Sequence, residues 1–293
     1  MAFRPNWYDE QPKRRGPSSI AWRSWTGLGT IVRVTVAVFV VQYLLARLSP
    51  NTGDVLSRWG GLRTFTDSGS INLLFPLQLF TYPLLHATWD IWHILGNMFY
   101  LWIFGRELEA VMGKAAFLRL YVAGAVIGGL AQFGMGFATG SAVPTIGASG
   151  AVWSIMLLYT LKYPHRTFHL IFPPIPLPVW LLVGFRLVSD ILGFVDQLRA
   201  LGLDQVGPQV ALACHLGGAL FGLLWFKRGD FLARWWLRHQ LEKNRKEIEV
   251  QADARQEMDR ILGKIQTTGL NSLTPTERSF LDRRSRELRD KDG

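Results

Sequence analysis

Between about residues 28 and 228 this chain is a succession of long apolar runs, and its last 65 residues are charged. Few architectures accept so uneven a distribution. Apolar runs approaching the length of a bilayer-crossing helix, followed by a polar segment, fit a polytopic membrane protein with a water-exposed tail. The runs predict helical spans at about Gly29–Leu48, Ile91–Phe104 (continuing as helix to Met112), Phe117–Phe137, Ser149–Tyr163, Val179–Phe194 and Val210–Phe226. Residues 1–27 form a basic arm, 28–228 the membrane domain and 229–293 a charged helical tail.

The fourth run is short, about 15 residues. At about 1.5 Å per residue it cannot cross about 30 Å of hydrocarbon. The turn before it, Ala138–Pro144, must therefore dip into the protein, where covered irregular backbone is tolerated. This run opens with Gly147-Ala148-Ser149-Gly150, which places a serine below the membrane surface, at the floor of an aqueous pocket. The stretch from Leu73 to His86 is apolar but interrupted by Pro76 and Pro83. It reads as a loop partly embedded in the outer leaflet rather than a span.

Polar groups inside apolar runs need a partner or a wet cavity. Three runs carry them: Ser149; His215, with Gly218 and Gly222 on its face; and His93 with Asn97, four residues apart on one face. Gly150 and Ser154 offer a small-residue stripe on which the His215 helix can approach closely. The expected chemistry follows from the residue types. A serine hydroxyl is a poor nucleophile until a base takes its proton, and imidazole is the usual base. An attacked carbonyl becomes an oxyanion, for which His93, Asn97 and the Ser149 backbone N–H are candidate donors. Taken singly, Ser149 reads as a helix serine bonded to its own backbone; the conjunction of three motifs is the specific signal. No acidic residue neighbours His215 in sequence, so Trp153, one turn below Ser149, is the candidate support for the imidazole. Arg186 and Asp190 sit at i,i+4 in the fifth run. Either they pair facing a wet interior, or that span is shifted toward its N-terminal end.

The net charge is +10 and there is a single cysteine, Cys214. One cysteine excludes an intrachain disulfide and a Cys-based zinc cluster. No nucleic-acid-binding motif accompanies the basic charge. Basic residues instead cluster in alternate connections: Lys13, Arg14 and Arg15; Arg106, Lys114 and Arg119; Lys162 and Arg166; Lys227 and Arg228. Under the positive-inside rule, six spans then put both termini in the cytoplasm. The N-terminal arm lacks the apolar core of a cleaved signal peptide, and Asp9 and Glu10 are out of place in a transit peptide. The expected location is a cell (inner) membrane. In the tail, Thr274-Pro275-Thr276-Glu277 has the pattern of a helix start: cap, proline first, glutamate three after the cap.

Over about residues 30–228 these motifs resemble the rhomboid family of intramembrane serine proteases. The resemblance implies an all-α membrane protein, a six-transmembrane-helix rhomboid bundle with a short helical cytoplasmic tail. It implies an endopeptidase that cleaves transmembrane segments near their outer end with a Ser149–His215 dyad. His93 and Asn97 would stabilise the oxyanion, and Gly147, Trp153 and Gly218 would support the dyad. Many members carry tyrosine where this chain has Trp153. The expected partners are transmembrane protein substrates and the lipid bilayer, with no nucleic acid, no metal and no cofactor. The alternative is a non-catalytic relative that binds membrane clients. A transporter, with Arg186 and Asp190 lining a path, would show inverted repeats, and the halves share no similarity.

Overall fold

In a computed structural model, which describes residues 26–48, 50–169, 176–200 and 211–292, the apolar runs are helices. The helix at the centre is the shortest of the expected spans. This helix, α6 (Ser149–Lys162), has 14 residues and is buried on nearly every side. A helix apolar all round needs neighbours all round. They are α4 (Ile91–Met112), α5 (Lys114–Thr139), α7 (Val179–Ala200) and α8 (Leu212–Arg228). Helix α1 (Gly27–Leu48) packs outside this group, against α4 and α5. The core joins Leu101, Phe104 and Leu108 of α4 to Phe117 and Leu120 of α5 and Ile155 of α6.

Glu109 does what an interfacial carboxylate can do. Its two oxygens accept from the backbone N–H groups of Gly27 and Leu28, the latter at 3.0 Å. Helix N-termini leave such donors orphaned and carry positive dipole, so the carboxylate closes the start of α1 onto the end of α4.

The connection after α1 is more structured than the sequence indicated. Helix α2 (Pro50–Gly60) and the short α3 (Phe75–Thr81), followed by a 3-10 turn at Tyr82–Leu84, fold it into a cap. A buried amide network ties it together. Gln78 accepts from the Arg63 N–H at 3.1 Å and from the Asn72 amide at 2.7 Å, and donates to the Trp59 carbonyl at 2.9 Å. This cap holds the turn that precedes α6. Leu62 and Thr145 exchange both backbone hydrogen bonds, at 2.9 and 2.8 Å, and Arg63 Nε donates to the Ala142 carbonyl at 2.8 Å.

Past α6 a small antiparallel ribbon pairs β1 (Thr167–His169) with β2 (Pro176–Pro178), with Phe168 opposite Leu177. The fifth run continues further than expected: α7 extends to Ala200, with Asp196 and Arg199 paired on its exposed surface at 3.2 Å. The basic arm before residue 26, residues 170–175 of the proline-rich connection and residues 201–210 of the loop after α7 lie outside the described residues.

Among the described residues, α1 and α5 are by themselves long and apolar enough to cross a membrane. The other four expected spans are shortened or interrupted by charge. Helix α6 reaches only about 21 Å. Helix α4 carries Arg106, Glu107 and Glu109 in its last turns, and α7 carries Arg186 and Asp190 in its middle.

The chain divides into two compact units, Met1–Phe231 and Leu232–Gly293. The second is a helical hairpin of α9 (Phe231–Thr268) and α10 (Pro275–Asp292). Thr274 and Glu277 form the expected reciprocal cap: Thr274 N–H donates to Glu277 at 2.8 Å and Glu277 N–H donates to Thr274 Oγ1 at 3.3 Å. Glu277 also accepts from Lys264 at 2.9 Å and Arg260 at 2.8 Å on α9. These donors, Lys264 first, hold its carboxyl down at about 2. A carboxyl depressed on folding stabilises the hairpin above its unfolded value of about 4.3, and the contribution is lost as pH falls through the folded value. Amide-exchange protection around Leu273–Glu277, corrected for intrinsic rates, should therefore fall between about pH 4.5 and 2. The Glu277→Gln variant should show reduced protection at neutral pH and no such transition.

Candidate active site

Ser149 is the first residue of α6, and its position is set by the turn before it. Gly147 takes φ 118°, a conformation side chains rarely adopt. A Cβ there would also lie 2.6 Å from His93 Nε2. The turn is pinned from the cap: Gly147 N–H donates to the Tyr82 carbonyl at 3.0 Å, and Ala148 N–H faces His86 Nε2 at 3.5 Å. His86 lies on the loop leading to α4. Burial, with the nearby His93 ring, pushes it down to about 3, so the imidazole is neutral.

His215 sits in the first turn of α8, and its Nε2 is 2.9 Å from Ser149 Oγ. Two glycines bring the helices that close. A Cβ on Gly218 would overlap the Gly150 carbonyl, and one on Gly222 would overlap the Ser154 carbonyl. The small-residue stripe read from the sequence is thus the line along which α6 and α8 meet. The Cys214 N–H donates to Gln132 Oε1 at 3.3 Å, which ties the start of α8 to α5.

His93 and Asn97 on α4 face the same space. Asn97 Nδ2 donates to the His93 carbonyl at 2.7 Å, which leaves its second amide hydrogen. The Ala87 N–H donates to His93 Nδ1 at 3.3 Å. An accepting Nδ1 puts the neutral ring's proton on Nε2, the atom beside Gly147. Trp153 is buried below Ser149, its ring centroid 6.3 Å from that of His215. A cavity of about 1340 Å³ opens over these residues, and its wall includes Ser149, His215, His93, Asn97, Trp153 and Arg186. All seven site residues expected from the sequence therefore lie in one region, with Gly218 a turn beneath on the helix contact.

One neighbour was not foreseen. Asp190 of α7 is 4% exposed, and its Oδ2 lies 2.7 Å from His215 Nδ1. Its other oxygen is 3.4 Å from Arg186 Nε. The expected Arg186–Asp190 pair exists, but it is one side of a three-residue contact. The sequence held a usable signal, since a carboxylate inside an apolar helix is functional by default. Its i,i+4 arginine supplied a sufficient reason for it, and 25 residues separate it from His215.

A family description, the Rhomboid domain, matches residues 76–227, just over half of the chain. The chain belongs to the rhomboid family. A second description, a family of unknown function (DUF6576), matches residues 244–287. The presenilin-associated rhomboid-like protein, mitochondrial, of Rattus norvegicus is 29% identical over 193 residues, covering 62% of this chain and 47% of the relative. Rhomboid protein 1, mitochondrial, of Saccharomyces cerevisiae is 28% identical over 158 residues, 53% of this chain and 41% of its own. RHOMBOID-like protein 12, mitochondrial, of Arabidopsis thaliana is 33% identical over 144 residues, 44% and 40% respectively. The chain thus spans about half the length of the relatives it matches, or less. These names overturn the cell (inner) membrane expected from the sequence, because the relatives are mitochondrial proteins. The physical reason is that a basic bias orients spans relative to a membrane and does not identify which membrane it is.

The glycine contact gives a direct test of how the site is held. Gly218→Val forces α8 away from α6 and should cost about 1–3 kcal/mol of stability. Gly184→Ala, where a Cβ meets nothing, should change it by about 0.5 kcal/mol or less. Denaturation of the two variants in detergent, beside the unsubstituted protein, measures both.

Proposed function

We propose that this chain is an intramembrane serine endopeptidase acting on transmembrane protein segments. The observation that carries the reading is the 2.9 Å contact between Ser149 Oγ and His215 Nε2 at the floor of an open cavity. Family membership supports it independently.

In the proposed step Ser149 Oγ attacks the scissile carbonyl carbon while His215 Nε2 takes the hydroxyl proton. The carbonyl oxygen becomes an oxyanion, met by the Ser149 N–H, the free amide hydrogen of Asn97 and His93 Nε2–H. His215 then gives its proton to the leaving amine as the C–N bond breaks. Water from the cavity hydrolyses the acyl-enzyme, with the imidazole again as base. Side chains and water suffice for every transfer.

The six helices α1 and α4 to α8 are the proposed spans. Their outer faces favour lipid: Val40 and Leu44 of α1, Phe99 and Trp102 of α4, and Phe185 and Val188 of α7 are large, apolar and exposed. Exposed apolar surface on this scale marks a membrane or partner contact. The shortness of α6 leaves Ser149 recessed from one face, so the cut would fall near the membrane face toward which the cavity opens.

The test uses purified full-length protein in detergent or proteoliposomes. It should cleave a single-span test substrate, and a fluorophosphonate probe should label it. Ser149→Ala should abolish both, with cleavage reduced by about 10³-fold or more. Undiminished cleavage by Ser149→Ala would remove the protease reading.

A further inference from the structure

We infer that Asp190 is a positioning residue for His215, completing a Ser149–His215–Asp190 relay assembled from three helices, and this rests on the protease reading above. The contact is a buried one. Asp190 is 4% exposed and His215 is 6% exposed, and their side chains meet at 2.7 Å. Taking a carboxylate out of water is costly, and the cost is offset only where its oxygens are bonded. Here one oxygen is hydrogen-bonded to the imidazole and the other is ion-paired with Arg186 at 3.4 Å. Arg186 is about half exposed to the cavity, so it holds the carboxylate from the wet side.

The geometry decides which ring nitrogen carries the proton. An ionised carboxylate only accepts, so His215 Nδ1 must donate to Asp190. The neutral ring then has a bare Nε2, 2.9 Å from Ser149 Oγ, and that atom can take the hydroxyl proton. The opposite tautomer would present Nε2–H to the serine and could not act as base. When Nε2 accepts the proton, the imidazolium has a carboxylate already in contact, and Asp190 stays ionised throughout. The Oγ–C bond forms, the proton rests on Nε2, and it leaves with the amine as the C–N bond breaks. Asp67 and Asp90 also line the cavity, but the acid in contact with His215 is Asp190; around it α6 presents Ser149 and Trp153, α4 presents His93, and α7 presents Arg186 beside Asp190.

The placement has a structural consequence. Asp190 is carried by α7, of which Val179, Val183 and Asp190 are the buried residues and whose remaining length is largely exposed. The Asp190–His215 bond is therefore the polar tie that fixes α7 to α8 at the level of the serine. The competing account is that Asp190 is only this tie, with no effect on the chemistry.

The experiment separates the two. Full-length protein and its Asp190→Asn and Ser149→Ala variants are titrated with a fluorophosphonate, giving the maximal inactivation rate and the half-saturating concentration separately. Thermal unfolding is recorded for each. Asn fills the same space but can donate to Nδ1 and so reverse the tautomer. The inference expects the maximal rate to fall by about 10²-fold or more, with half-saturation within about threefold of the unsubstituted protein. A maximal rate within about threefold of the unsubstituted protein overturns it. Nitrogen-15 shifts of the His215 ring in the unsubstituted protein provide a measurement that does not depend on the variant folding. A protonated Nδ1 and bare Nε2 at neutral pH support the inference, and the reverse overturns it. Labelling that persists in Ser149→Ala would instead bring down the protease reading itself, a distinct result.

Discussion

The close contact of α6 with α8 is what the rest of the molecule depends on. Backbone meets backbone there, because Gly218 and Gly222 have no side chain to hold Gly150 and Ser154 away. A methyl group at either position would overlap a carbonyl oxygen. Between helices in lipid there is little hydrophobic gain to drive association, so fit and polar contact carry more of it. The same close approach sets the Ser149–His215 distance. The stability of the bundle and the geometry of the site thus rest on one set of glycines.

Around that contact, several buried polar groups are paired with one another or with backbone. Gln78 and Asn72 bond each other and the loop backbone, and Tyr82 donates to the Ala125 carbonyl at 2.7 Å while its own carbonyl receives Gly147. Each such bond is modest in net terms, about 1 kcal/mol, but leaving a partner unpaired would cost more. Their joint effect is to hold the 141–148 turn, and with it the start of α6, against a folded cap. In the proposed mechanism, a helix start held in this way would preorganise the serine for the histidine it faces.

Helix α7 departs from this pattern. It turns a largely exposed apolar surface outward and is joined to the core by few buried side chains, one of them a carboxylate. A charge in that place is expensive unless it is partnered, and its hydrogen bond to His215 forms only when α7 lies against α8. The ion pair between Arg186 and Asp190 and the contact with His215 are accordingly one arrangement.

Much of this is legible in the sequence. Apolar run lengths placed the helices to within a few residues, except at the C-terminal end of α7, because burial in hydrocarbon or core demands them. The spacing of His93 from Asn97, and of His215 from Gly218 and Gly222, put the right groups on the right faces because helical periodicity is local. The cap at Thr274 and Glu277 was equally local. The folded cap at 50–84 was not legible: its order comes from bonds such as Gln78 to Trp59 and Leu62 to Thr145, which join residues far apart in the chain. Nor was Asp190 beside His215, since the angle at which α7 leans on α8 decides that contact and no spacing encodes it. The sequence by itself determined which side chains must escape the apolar surroundings. Only the tertiary structure decided which of them escape together, because partners across helices are chosen by packing, and packing is a property of the whole assembly.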